Sequence, residues 1–142
     1  IVLDCADAQC LAQFYEALLG WPREDAAPGW AALSAPGGWT LAFQQVPGYT
    51  PPVWPWREGA QGQMLHLDFH VKDLQAAVRH ALACGARLAQ VQYFQTAYTL
   101  LDPAGHPFCL DNGQPEPPAA GWMPRKGARV PAQNGPLCRL KL

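Results

Sequence analysis

An α+β chain built from two copies of a βαβββ module is what this sequence predicts, and three observations predict it. A strand-then-helix unit, Ile1-Val2-Leu3 followed by Asp7 to Gly20, recurs as Leu65 to Val71 followed by Asp73 to Gly85. A loop-then-strand unit, Ser34-Ala35-Pro36-Gly37-Gly38 leading into Trp39 to Phe43, recurs as Asp102-Pro103-Ala104-Gly105-His106 leading into Pro107 to Asp111. Both repeats lie about 66 to 68 positions apart, as expected of two copies of one unit packed as a pseudo-symmetric pair.

Each element has a local cause. Asp7 and Asp73 cap the two helices and Gly20 and Gly85 end them. Leu11, Phe14, Tyr15, Leu18 and Leu19 recur at helical spacing, and so do Leu74, Ala77, Val78, Ala81 and Leu82. Short strands are expected around Trp21–Glu24, Trp30–Leu33, Trp39–Val46, Met64–Val71, Ala86–Val91, Tyr98–Leu101 and Phe108–Asp111. The proline-rich stretch 47–62 excludes regular structure, because proline removes donors and restricts the residue before it. Residues 1–112 therefore read as one domain, with module one at 1–46, a connector at 47–62 and module two at 63–112. A Pro- and Gly-rich tail follows at 113–142.

Composition narrows the function classes. Ten Lys and Arg against eleven Asp and Glu give a net charge of −1 with no run of either sign, which argues against nucleic acid and against an anionic membrane surface. A small organic partner is favoured. The five cysteines are scattered without a CxxC, and no signal sequence or membrane-length apolar run appears, so reduced thiols and a cytoplasmic location are expected.

The chain resembles the vicinal oxygen chelate superfamily, which holds glyoxalase I, extradiol dioxygenases, fosfomycin-modifying enzymes and bleomycin-binding proteins, and within it the glyoxalase-like domain branch. The resemblance spans roughly residues 1–112. It rests on Asp7 with Phe14-Tyr15 and Leu19-Gly20-Trp21, on Leu41-Ala42-Phe43-Gln44, on His66-Leu67-Asp68, and on Asp102-Pro103-Ala104-Gly105 with Pro107-Phe108-Cys109-Leu110. It implies two curled sheets pairing into a cup-shaped mixed sheet with the helices outside and the ligand in the cup. Metal-dependent members hold a divalent cation there by the first and last strands of both modules. Carried over, the resemblance puts His66 at a ligand position, Cys109 where a Glu is usual, and Leu41, within two residues, at the last strand of module one. The first-strand position of module one would precede Ile1. Leu, Ala and Phe do not ligate metals and Gln is a poor ligand, so no metal is expected, with a divalent cation as the alternative.

The residue types suggest an aromatic-walled site for a planar or apolar molecule, oriented by few polar groups. Trp30, Trp39, Phe43, Gln44, Trp54, His66, Tyr98 and Cys109 are the candidate ligand contacts, with His66 as the candidate catalytic residue. For Cys109 in an apolar strand an inert buried thiol is the simpler reading. Asp68 and His70 share the polar face of their strand with His66, and cross-strand pairing is the expected fate of the two. His106 is expected to be exposed in its turn. The first function reading is metal-independent binding or sequestration of a small, partly apolar molecule. The second is a lyase or isomerase using His66 as base or metal ligand, and the third a non-catalytic dimerising module. A homodimer is expected in each case.

Overall fold

A computed structural model describes residues 1–114. Two compact units divide the described chain, the first over Ile1–Pro51 and the second beginning at Pro52. Unit one runs β1 (Val2–Cys5), α1 (Ala8–Leu19), β2 (Arg23–Ala27), β3 (Trp30–Ala35) and β4 (Trp39–Gln45). Unit two runs β5 (Leu67–His70), α2 (Leu74–Cys84), β6 (Arg87–Leu88), β7 (Ala97–Leu101) and β8 (Pro107–Asp111). The sheets have the orders β1-β4-β3-β2 and β5-β8-β7-β6. In each, the first strand lies parallel to the last and the remaining pairs are antiparallel. The doubled βαβββ order is thus a doubled topology.

Both helices begin and end where the capping residues predict. Asp7 accepts from the Cys10 amide at 3.0 Å and Asp73 from the Ala76 amide at 2.9 Å, each satisfying a first-turn donor that the helix itself leaves open. Gly20 and Gly85 take φ of 68° and 111° and close the helices in a conformation that costs other residues about 1–2 kcal/mol. In unit one, α1 lays Leu11, Phe14 and Tyr15 over a sheet face of Leu3, Leu33, Leu41 and Phe43, all buried. The Tyr15 and Phe43 rings stack with centroids 5.4 Å apart. In unit two, Leu74, Val78 and Ala81 of α2 are buried with Leu100, Phe108 and Leu110, and Phe69 meets Phe108 edge to face at 6.1 Å.

Three strands depart from the expected bounds. Pro22 has no N–H to give, and β2 begins after it at Arg23. The expected strand at Met64 is only Leu67–His70, with Met64 91 % and Leu65 53 % exposed ahead of it. The strand expected to reach Val91 ends at Leu88, because the buried Gln92 amide takes over the ladder. Its Nε2 donates to the Ala89 and Thr99 carbonyls and its Oε1 accepts from the Thr99 amide, all at 2.8 Å. No helix or strand interrupts 46–66. The tail lies outside the described residues, apart from its first two. No helix among the described residues is long and apolar enough to cross a membrane.

His106 is not the exposed loop residue expected. Its imidazole Nδ1 lies 2.8 Å from the wholly buried Asp102 carboxylate, which also accepts from the Ala104 and His106 amides at 2.9 Å. The turn before β8 is held around one carboxylate.

Candidate functional site

Strand parity decides which side chains leave each core. In β8, Phe108 and Leu110 turn into the core of unit two, so Cys109 and Asp111 face the other way. Register adds their neighbours: Cys109 pairs with Asp68 of β5 and Thr99 of β7, and Asp111 pairs with His70 and Ala97. His66, two residues before Asp68, precedes the strand on the same side. One face of this sheet therefore carries His66, Asp68, His70, Thr99, Cys109 and Asp111.

The polar groups of that face satisfy one another in short links. His66 Nε2 lies 3.3 Å from Asp68 Oδ1, and its Nδ1 lies 3.4 Å from the Gln63 amide nitrogen. His70 Nδ1 lies 3.0 Å from Asp111 Oδ1, the cross-strand pairing expected of that residue, whereas Asp68 pairs locally with His66 instead. Cys109 Sγ sits 3.6 Å from Thr99 Oγ1. Burial pushes the Cys109 thiol up to about 11 and the Asp68 and Asp111 carboxylates push the same way, against the Thr99 hydrogen bond, which favours the thiolate. An unassisted nucleophilic thiolate is therefore disfavoured at neutral pH.

His66, Asp68 and Cys109 bring one nitrogen, one oxygen and one sulfur donor within 4.8 Å of one another. Three protein ligands with an open position are what a catalytic divalent site requires, so the residues present fit such a cation in number and donor type. His66, Asp68 and Cys109 would hold it, and it would supply Lewis acidity toward an oxygen of a bound molecule. Asp68 is the donor that the sequence reading left out. Its membership of the His66 face was visible from alternation alone, while its apposition to Cys109 needed the register.

Unit one has the same frame with other contents. The register equivalents of Asp68, Cys109 and Thr99 are Val2, Ala42 and Ala32, so the last-strand position is Ala42 and not Leu41, which is buried under α1. The next row is Asp4, Gln44 and Trp30, which places two of the candidate contacts, Gln44 and Trp30, side by side on the face turned away from α1.

Four candidates fall elsewhere. Phe43 has no exposed surface and stacks on Tyr15, because its parity turns it to the helix. Trp39 shares that parity and meets Trp21, just past α1, edge to face at 5.2 Å. Tyr98 alternates with Thr99, pairs with Leu110 and takes a hydrogen bond from Gln75 of α2 at 3.3 Å, so it lies on the helix side. Trp54 packs against Tyr93 at 5.7 Å, and its indole N–H is buried without a hydrogen-bond partner among the described residues.

The model of one protein family, the glyoxalase-like domain, matches residues 1–110. No curated protein matches the chain. Among solved structures, the chain is similar to a glyoxalase/bleomycin resistance protein/dioxygenase family enzyme from Burkholderia phytofirmans, with 18 % identity over 78 % of this chain and 94 % of that one and a TM-score of 0.61. It is similar to the fosfomycin resistance protein FosX of Mesorhizobium loti, with 12 % identity over 80 % and 89 % and a TM-score of 0.58. A lactoylglutathione lyase from Agrobacterium tumefaciens gives 16 % identity over 80 % and 90 % and a TM-score of 0.55. At such identities these likenesses speak for the fold.

Proposed function

The chain belongs to the glyoxalase-like domain family, and from that premise we propose that it binds a small, partly apolar organic molecule on the face of the second module's sheet turned away from α2. The observation that carries this reading is the concentration of His66, Asp68, Thr99 and Cys109 on one face, while the other face is apolar and covered by α2. The neighbours named as a lyase and as a fosfomycin resistance protein support a small organic substrate class. His66 is the contact that orients the molecule: its imidazole is 39 % exposed, and the Gln63 amide and Asp68 hold it from both ring nitrogens. A thermal-shift screen of small organic molecules, followed by calorimetry with the strongest hit, tests this. His66→Ala should weaken that hit by about 1–3 kcal/mol, the usual cost of stranding a polar partner, with the melting temperature nearly unchanged. Unchanged affinity, or a large drop in melting temperature, makes His66 a structural residue.

A second reading, a lyase or isomerase working through a divalent cation, is favoured by the three-donor cluster. The expectation of no metal rests on the apolar Leu41-Ala42-Phe43 segment of module one, whereas module two brings Asp68 as a third donor beside His66 and Cys109. Metal analysis of protein purified without chelator separates the two readings, since a stoichiometric transition metal would end the metal-independent one. Against the expectation of reduced thiols, Cys10 is disulfide-bonded, while Cys5, Cys84 and Cys109 are free. A cytoplasmic location stays a proposal, and we propose a homodimer on the ground that open sheets leave edge strands in need of cover.

A further inference from the structure

We propose that the second module's sheet face carries two histidines in opposite tautomers, His66 donating from Nε2 and His70 accepting at Nε2. The pair selects a neutral molecule with a carbonyl-type oxygen at one end and an O–H or N–H at the other. This rests on the binding reading above and goes beyond it by adding His70 to the site and naming the ligand class. Three observations carry it.

The first is the partner of each ring nitrogen. An ionised carboxylate only accepts hydrogen bonds, and a side-chain amide nitrogen only donates them. At His66 the Gln63 amide nitrogen lies 3.4 Å from Nδ1 and Asp68 Oδ1 lies 3.3 Å from Nε2, so the neutral ring has its lone pair on Nδ1 and its proton on Nε2. At His70 the order is reversed. Asp111 Oδ1 lies 3.0 Å from Nδ1, which takes the proton there and leaves the lone pair on Nε2. The Gly113 amide donates to the same carboxylate oxygen at 2.9 Å and orients it. The Gly113 backbone packs so close to the imidazole that a Cβ added there would collide with Cε1, so the ring is held although it is 68 % exposed.

The second is placement. Residues two apart on one face of a strand stand about 6.6 Å from each other. His66 leans along the chain to Asp68, one row from His70, and His70 leans sideways to its register partner Asp111. One small molecule can therefore meet both rings. The Asp68 contact at 3.3 Å is longer than a close charge-assisted bond of about 2.7–2.9 Å, which leaves the His66 N–H able to share a ligand oxygen. Among the described residues nothing hydrogen-bonds His70 Nε2.

The third is charge. The two rows of this face, Asp68, Cys109 and Thr99 and then His70, Asp111 and Ala97, hold two carboxylates and no lysine or arginine. After burial, those carboxylates are what raise the Cys109 thiol between them. A ligand carboxylate or phosphate would meet the same field, so a neutral acceptor suits His66 better than an anionic one.

The test uses the full chain labelled with ¹⁵N, read at pH 8 by long-range proton–nitrogen correlation of the histidine rings, which reports the nitrogen that carries the proton. His66→Leu and His70→Leu assign the two rings among the four histidines. His66 should show its proton on Nε2 and His70 on Nδ1. Four probes with one aromatic body are then titrated: 4-(hydroxymethyl)acetophenone, its methyl ether, 4-ethylbenzyl alcohol and 4-(hydroxymethyl)benzoate. The first should bind tightest and shift both rings. The ether and the ethyl compound should each bind about three- to tenfold more weakly, the loss of one hydrogen bond, and the carboxylate most weakly of all. His70→Gln, which keeps an acceptor, should retain the preference for alcohol over ether, and His70→Leu should lose it. A proton on His66 Nδ1 or on His70 Nε2 overturns the opposed pair whatever binds. The expected tautomers with equal affinity for all four probes, or with the carboxylate tightest, overturn the ligand class and leave the face a binding site. No shift of either ring by any probe at millimolar concentration overturns the proposal, and a blank small-molecule screen is needed besides to bring down the binding reading.

Discussion

Phe43→Ala should unfold this protein more readily without touching its ligand face, and the adjacent Gln44→Ala should leave stability nearly unchanged. Phe43 lies in β4, between β1 and β3, with no exposed surface and its ring stacked on Tyr15 at 5.4 Å. Removing a fully buried phenylalanine costs about 3–5 kcal/mol, from lost transfer free energy and from the cavity left behind. For a chain of 142 residues, at about 4 °C per kcal/mol, that is a fall in melting temperature of about 12–20 °C. Gln44 is exposed on the opposite face, and its replacement should change stability by no more than about 0.5 kcal/mol. Thermal unfolding followed by circular dichroism reads both variants, and the denaturant slope should stay at the wild-type value if only packing is lost. A shift below about 4 °C for Phe43→Ala, joined to weakened binding of a screened ligand, would put Phe43 on the ligand face and refute the strand parity on which the site is built.

Other expectations follow from the same geometry. Asp102→Ala strands two backbone amides and an imidazole around the turn before β8 and should cost about 2–4 kcal/mol in denaturant unfolding, with Asp102→Asn costing less because one acceptor remains. In metal-free protein Cys109 should alkylate slowly. Its thiol is raised from 9.0 to about 11, so at pH 8 the thiolate fraction, and with it the iodoacetamide rate, is about a hundredfold below that of an ordinary thiol and should climb up to pH 11. A rate already level above pH 9, followed by mass spectrometry of the Cys109 peptide, would contradict the burial argument. Because the folded thiol keeps its proton where an unfolded one loses it, Cys109 disfavours the fold as pH rises from 9 toward 11 and has no effect below that window. Light scattering should give a dimer mass at micromolar concentration, and a concentration-independent monomer would count against the homodimer.

The legible part of this molecule is the part written in short-range chemistry. Asp7 and Gly20, Asp73 and Gly85 bound their helices because a cap involves residues only three or four apart. The apolar spacing of Leu11, Phe14 and Tyr15 fixed the buried stripe of α1 for the same reason. The doubled order of these signals was enough for the fold and the family. Alternation within β5 also put His66, Asp68 and His70 on one side before any partner was known.

What the sequence could not decide is which strand meets which, and in what register. Cys109 meets Asp68, forty-one positions away, only through the parallel pairing of β5 with β8. The same pairing in unit one moves the equivalent position from Leu41 to Ala42, and that one residue is the difference between a side chain under α1 and one turned away from it. Phe43, Trp39 and Tyr98 lie on the helix side of their strands for the same reason, since an aromatic residue in a strand does not by itself reveal which way it faces. Side chains alternate with a period of two, so a one-residue offset carries every residue of a strand to the opposite face. That offset is set by hydrogen bonds and packing between segments far apart in the chain, and only the folded sheets fixed it.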